Sequence, residues 1–268
     1  MITREEISRL SHRMQINEIT LEKDYVLTWI LLSIEDSNLY SQLIFKGGTA
    51  LKKIYFPDYR FSEDLDFTVL NEIGTNDLIS NIKLMLNNLS KNQGLQFDIS
   101  SEKIEVRTNT LTIYIGFIGP LQARLGSRFI KVDFTLNEKL LFNINPLFIQ
   151  SFYSDVIKKQ INTYSLEEIM VEKLCAIVGR NEPRDIYDIY FLFEQDLDFI
   201  TIPSAFIEKA KFKEINPNDI RGLFKRKKNI IERMWKTRLT NQVKNLPDID
   251  SVLRKIEYNL RKHIYDYI

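Results

Sequence analysis

Apolar residues recur along this chain at two different periods, and the change from one to the other divides it. Over residues 20–33, Leu21, Tyr25, Leu27, Leu31 and Leu32 fall near one helical face, which predicts a helix. A short strand is expected at 42–45, after which Gly47-Gly48-Thr49 opens a short helix running to Ile54. Residues 64–70 alternate as a strand does, with Leu65, Phe67 and Val69 on one side and Asp64, Asp66 and Thr68 on the other. A helix over 77–89 and strand-like runs at 95–99, 104–106, 111–118 and 129–136 follow. From Ser165 onward the pattern is almost entirely helical. A sheet-containing half followed by a helical half predicts an α+β protein of two lobes. The boundary is expected between 145 and 165, which gives a core lobe of 1–155 and a helical lobe of 156–268.

Composition narrows the chemistry. With 268 residues, 44% of them hydrophobic and 27% charged, the chain has the balance of a globular protein, not of a disordered or fibrous one. Thirty-seven basic against thirty-six acidic residues give +1, so any nucleic-acid surface has to be local. One cysteine, Cys175, excludes an internal disulfide and a multi-cysteine zinc site, and suits a reducing compartment. His12 and His263 leave little for histidine-based metal binding or a Ser-His-Asp triad. Catalysis by this chain would therefore rest on carboxylates, lysines and arginines. Residues 1–13 are charged and lack a hydrophobic signal core, and the apolar run around 25–34 is too short to span a bilayer. The expectation is a cytoplasmic protein without a membrane partner.

The most informative stretch is Lys46-Gly47-Gly48-Thr49-Ala50-Leu51, followed by Arg60-Phe61-Ser62-Glu63-Asp64-Leu65-Asp66-Phe67. Asp64 and Asp66, at i and i+2 on one strand, point to the same side of the sheet and would repel each other without a cation. Two divalent ions roughly 3.5–4 Å apart would relieve that repulsion and supply the geometry of phosphoryl transfer. Magnesium prefers such oxygen ligands. Gly47 and Gly48 precede a helix start, where backbone N–H groups can cradle a phosphate, and Thr49 adds a hydroxyl. Either feature alone fits a solvated strand face or an ordinary turn. Strand, Gly-Gly turn, helix and D-x-D strand in that order are far more specific. In Phe129-Ile130-Lys131-Val132-Asp133-Phe134-Thr135, Asp133 shares a face with Lys131 and Thr135. It is either the third carboxylate of a two-metal site or an exposed aspartate on an edge strand.

A second group of residues lies on helices. Ser165-Leu166-Glu167-Glu168 has the pattern of a capping box, and the helix it opens carries Leu166, Met170, Leu174 and Ile177 as a stripe, with Lys173 beside it. That lysine either reaches solvent or enters a polar cleft. The next helix starts near Pro183 with Arg184-Asp185-Ile186-Tyr187-Asp188, where Arg184 and Asp188 can pair at i and i+4. Residues 221–238 hold eight basic residues and one acid, Glu232, for a net +7, so the rest of the chain carries −6. Lys225, Arg226, Lys227 and Lys228, with Phe224 and Trp235 interleaved, suit either RNA phosphates and bases or a solvated helical face.

These strings resemble the DNA-polymerase-β-like nucleotidyltransferases and, more narrowly, the abortive-infection AbiEii nucleotidyltransferase toxins. The likeness covers about 21–192, including Glu22-Lys23-Asp24 and the block Glu172-Lys173-Leu174, Arg180, Arg184-Asp185-x-x-Asp188. It implies a polymerase-β-like sheet lobe and a helical lobe completing the active cleft. It further implies transfer of a nucleoside monophosphate from an NTP, GTP or a pyrimidine nucleotide, to an acceptor hydroxyl. Asp64, Asp66 and Asp133 would hold two magnesium ions, with Asp133 also the base. Lys46, Gly47, Gly48, Thr49, Ser62, Arg184 and Asp188 would shape the nucleotide site. Lys173 would neutralise the triphosphate, and Asp185 is favoured over Asp188 as the functional acid beside Arg184. The same resemblance implies a bacterial toxin of a toxin–antitoxin or phage-defence system, an RNA acceptor such as a tRNA 3′ end, and a cognate antitoxin. Two rival readings stand beside it: modification of a small molecule or protein, and a non-catalytic nucleotide-binding regulator.

Overall fold

The computed structural model describes residues 1–70 and 73–268. They form two compact units, Met1–Glu138 with Ile144–Thr163, and Lys139–Asn143 with Tyr164–Ile268. The first unit contains helices α1 (Arg4–Met14), α2 (Glu18–Glu35), α3 (Gly47–Ala50) and α4 (Thr75–Gln93). Its strands are β1 (Leu43–Lys46), β2 (Asp64–Val69), β3 (Gln96–Asp98), β4 (Ile104–Val106), β5 (Thr110–Ile118), β6 (Phe129–Thr135), β7 (Asn145–Phe148) and β8 (Gln160–Thr163). The second contains α5 (Leu166–Gly179), α6 (Pro183–Leu192), α7 (Ile202–Phe212), α8 (Leu223–Leu239) and α9 (Ile249–His263).

All eight strands join one mixed sheet in the order β3-β5-β6-β2-β1-β8-β7, with β4 also paired to β5. β2 lies antiparallel to β1 and parallel to β6. Leu65 and Phe67 pair with Val132 and Phe134 on the buried face, where the rings of Phe45, Phe67 and Phe134 follow one another at 5.5 and 5.6 Å. The strand period then places Asp64, Asp66, Lys131 and Asp133 on the opposite face. Helix α2 is buried almost all round, from Leu21 to Ile34, which is why its apolar positions exceed a single stripe.

The pattern of apolar positions located α2, α4, β1 to β6, α5 and α6 within a few residues, and the helical character expected after Ser165 covers α7, α8 and α9. It missed α1, which buries only Ile7 and Leu10 among its charges. It also missed β7 and β8, four residues each and too short to show a period. The helix expected from Gly47 to Ile54 is four residues of α-helix, and its path then widens into a π turn at Leu51–Tyr55. Among the described residues no helix is long and apolar enough to cross a membrane.

Candidate active site

In the sheet unit, β1, α3, β2 and β6 bring the first motif together. Asp66 pairs with Lys46 of β1 on one side and with Asp133 of β6 on the other. Gly47 has φ +80°, a left-handed conformation that glycine adopts without strain. A Cβ built there would overlap the Asp66 carboxylate, so the backbone turn and the acid occupy adjoining space that only a hydrogen leaves open. Gly48 and Thr49 are buried behind it. Thr49 Oγ1 donates to the Asp64 carbonyl at 2.5 Å and so ties the turn to the start of β2. Lys46 is buried, its Nζ 3.9 Å from Glu138 Oε2. Ser62 lies buried in the segment entering β2.

Asp133 is held by two neighbours, Lys131 on its own strand face and Thr112, which the sequence did not show. Its Oδ1 accepts from Thr112 Oγ1 at 2.5 Å, and its Oδ2 pairs with Lys131. Burial would lower the Lys131 ammonium, but the bond to Asp133 and the charges of Asp133, Asp64 and Asp66 outweigh it and raise the pKa. One ammonium thus feels all three carboxylates. Among the described residues no three acidic, histidine or cysteine side chains are gathered closely enough to hold a metal ion. The three aspartates nevertheless form an all-oxygen donor set on one face, which suits magnesium. A bound ion would compete with Lys131 for Asp133.

The helix preceding β1 anchors this face through buried charges. Glu22 accepts from the Leu121 N–H at 2.7 Å and pairs with Arg128. Asp24 receives Lys53 Nζ at 2.7 Å and the Tyr153 hydroxyl at 2.9 Å. Lys23 reaches Glu63 at 2.8 Å. Buried acids on an otherwise apolar helix were the available signal for these anchors.

In the helical unit, Lys173 neither reaches solvent nor stands alone. Its Nζ lies 2.6 Å from Asp185 Oδ1 and 2.7 Å from Asp188 Oδ2, so both candidate acids meet on one ammonium. Arg180 adds Nε to Asp185 Oδ2 at 2.6 Å. Burial would raise the Asp185 carboxyl, but Lys173 and Arg180 outweigh it and hold it below the usual 3.8. Arg184 donates to Glu182 at 3.1 Å, while Asp188 faces Lys173. The capping box is half-formed: Ser165 Oγ accepts from the Glu168 N–H at 3.2 Å. The Glu168 carboxylate turns away, to the N–H groups of Leu141 and Phe142 at 2.8 and 2.9 Å and to Lys209 at 2.6 Å. Cys175 is core.

The basic tract is α8, and folding employs much of it. Arg226 donates to the Arg221 and Asp219 carbonyls at 2.7 and 2.6 Å. Lys227 donates to the Ile177 and Val178 carbonyls at the end of α5 at 3.2 and 3.1 Å, where a cation meets the negative end of the helix dipole. Lys228 pairs with Asp250 at 2.6 Å. Phe224 and Trp235 are buried, so neither ring is available to stack on a base. Lys225, Arg233, Lys236 and Arg238 remain exposed.

Comparison with known proteins bears on both units. The family described as "Nucleotidyl transferase AbiEii toxin, Type IV TA system" matches residues 29–255. Among curated proteins no sequence matches. Of solved structures, MenT4, a nucleotidyltransferase toxin from Mycobacterium tuberculosis, superposes with a TM-score of 0.70 at 13% identity, over 100% of this chain and 92% of its own. JHP933 from Helicobacter pylori gives 0.62 at 16% identity, over 94% of each chain. These likenesses show a shared fold, the α+β architecture of nucleotidyltransferase toxins, and the family match over most of the sequence shows the activity class. The chain belongs to the AbiEii family of nucleotidyltransferase toxins of type IV toxin–antitoxin systems.

Proposed function

We propose that this nucleotidyltransferase moves a nucleoside monophosphate from an NTP to the 3′ hydroxyl of an RNA, releasing pyrophosphate, at the face formed by Asp64, Asp66 and Asp133. The observation that carries this reading is the sheet register that sets Asp66 beside Asp133 and, with Asp64, on one face bordered by the Gly47 turn. Asp64, Asp66 and Asp133 would hold magnesium, two ions in the full complement. When bound, the metal supplies positive charge that offsets the triphosphate and acidifies the attacking hydroxyl.

The remaining work belongs to the chain. Gly47 leaves room for the Asp66 carboxylate to lie against the backbone turn, and Lys46 contributes positive charge on the neighbouring strand. Asp133 serves as base for the acceptor hydroxyl once Lys131 releases it. Thr49 acts by fixing Asp64, since its hydroxyl proton is directed to that residue's carbonyl. The resemblance assigns Lys173 to the triphosphate, with Arg184, Asp185 and Asp188 shaping the site. In that role Lys173 has to exchange a carboxylate for a phosphate. GTP or a pyrimidine NTP as donor, tRNA as acceptor and an antitoxin that limits the toxin complete the proposal.

The test is incubation of the purified protein with each labelled NTP and total RNA, with Mg²⁺ or with EDTA. Label transferred to RNA only with Mg²⁺ supports the proposal. Label on a small molecule or protein instead, or transfer in EDTA, overturns it.

A further inference from the structure

Lys52 occupies a position for which neither core packing nor the chemistry above has a use. It lies on the π turn after α3 and is 3% exposed. Its Nζ donates to the carbonyls of Pro57 and Tyr59 at 2.9 and 3.0 Å. The same atom stands 4.0 Å from the centre of the Phe61 ring. An ammonium has three N–H donors. Here two meet carbonyls, and an aromatic face offers the charge a third partner. All three partners belong to residues 57–61, the segment that delivers Ser62 and Asp64.

That segment is buried without being regular. Tyr59, Arg60, Phe61 and Ser62 all have 8% exposure or less, yet 57–63 is neither helix nor strand. A buried loop has backbone groups that need partners other than water. The Lys52 cage supplies them at one end, and the bonds of Glu63 to Lys23 and of Asp64 to Thr49 fix the other.

We propose that Lys52 is a positioning residue for nucleotidyl transfer, its caged ammonium holding residues 57–63 in the shape that presents Ser62 and Asp64 to the nucleotide. This rests on the reading of Ser62 and Asp64 as parts of the nucleotide and metal site.

Burial pushes Lys52 down to about 8, offset in part by Asp24 of α2 and Asp58 of the loop and reinforced by neighbouring Lys53. A lysine whose folded value lies below its ordinary 10.5 makes folding less favourable while it is charged, so stability rises as pH climbs from about 8 to 10.5.

The test compares wild type with Lys52→Met, which keeps most of the packing and loses the charge, and with Lys52→Arg, which keeps charge and donors. At a temperature where all three are folded, the methionine variant should lose about a hundredfold in kcat/KM, the scale expected for a misplaced reacting group. Part of that loss should be a raised KM for NTP, and arginine should recover much of it. Loss of folded protein alone would lower the apparent kcat and leave KM untouched, which overturns the proposal, as does wild-type kinetics in Lys52→Met. Two measurements stand apart from activity. Amide exchange should quicken over 57–63 in the methionine variant, and in the wild-type protein the Lys52 ammonium protons should exchange more slowly with solvent than those of the surface lysines. Unchanged amide exchange in a folded variant overturns the cage, and so do Lys52 ammonium protons that exchange as fast as those of the surface lysines, a result that needs no variant. Intact cage signatures in a protein that transfers nothing would instead count against the catalytic reading of Ser62 and Asp64.

Discussion

At the scale of single residues, the site depends on what small groups leave open. Gly47→Ala adds a methyl group where φ is +80° and where the Asp66 carboxylate already lies. The backbone strain alone costs roughly 1–2 kcal/mol, and transfer should fall further than that loss explains because Asp66 has to move. Paired denaturation and kinetic measurements check this; a variant as active as wild type would mean the turn and Asp66 work independently. Asp64→Ala and Asp66→Ala should each abolish transfer with circular dichroism unchanged, and full activity in either would refute the shared-metal reading. The sequence made these acids legible because i and i+2 on a strand share a face whatever the fold. By the same rule it placed Lys131 beside Asp133, but it could not reveal Thr112 as the second holder of Asp133. Thr112 comes from a neighbouring strand and depends on a register that only the folded sheet fixes.

At the scale of elements, α5 and α6 are joined by a four-charge cluster in which Lys173, Asp185 and Asp188 are buried and Arg180 closes the exposed side. Removing Lys173 takes one ammonium from two acids with 1% and 0% exposure, so Lys173→Ala should destabilise the protein by about 3–5 kcal/mol. Urea unfolding measures it, and an unchanged midpoint would show the carboxylates to be satisfied without the lysine. Because Asp185 is held below 3.8, its contribution is present above that pH and is lost as pH falls through the lowered value. Acid unfolding of Asp185→Asn should lack that component. Helical spacing placed Lys173 beside the apolar stripe, but which side chains it would meet depends on where α6 packs. Likewise the charge run foretold α8 as an element, while Lys227 capping α5 follows from a helix partnership that no period encodes. A test of RNA binding should therefore remove the exposed Lys225, Arg233, Lys236 and Arg238. Each RNA phosphate that is no longer neutralised should flatten the slope of log affinity against log salt by about 0.7, and parallel lines would make α8 a solvated face.

At the scale of the whole molecule, the chain does not pass once from sheet unit to helical unit. It enters the helical unit at Lys139–Asn143, returns to the sheet through β7 and β8, and leaves again at Tyr164. The first visit is fastened by Glu168, which accepts from Leu141 and Phe142 and pairs with Lys209. A polypeptide begun at Tyr164 would leave that carboxylate short of two donors, and it should unfold at lower urea than one supplied with 139–143 as a peptide. Equal midpoints would show the fastening to be dispensable. Sequence reading sought one boundary and could not anticipate a double crossing, because β7 and β8 are only four residues each. The parallel partnership of Phe45 with Thr163 also has a temporal meaning. During synthesis β1 emerges early, and the neighbour that covers its second edge arrives more than a hundred residues later. Pairings between such distant segments form slowly, and an uncovered edge invites association with other chains. A chain whose synthesis halts before residue 163 thus carries a sheet that is unfinished beside the Gly47 turn, and that edge is covered only once β8 has been made.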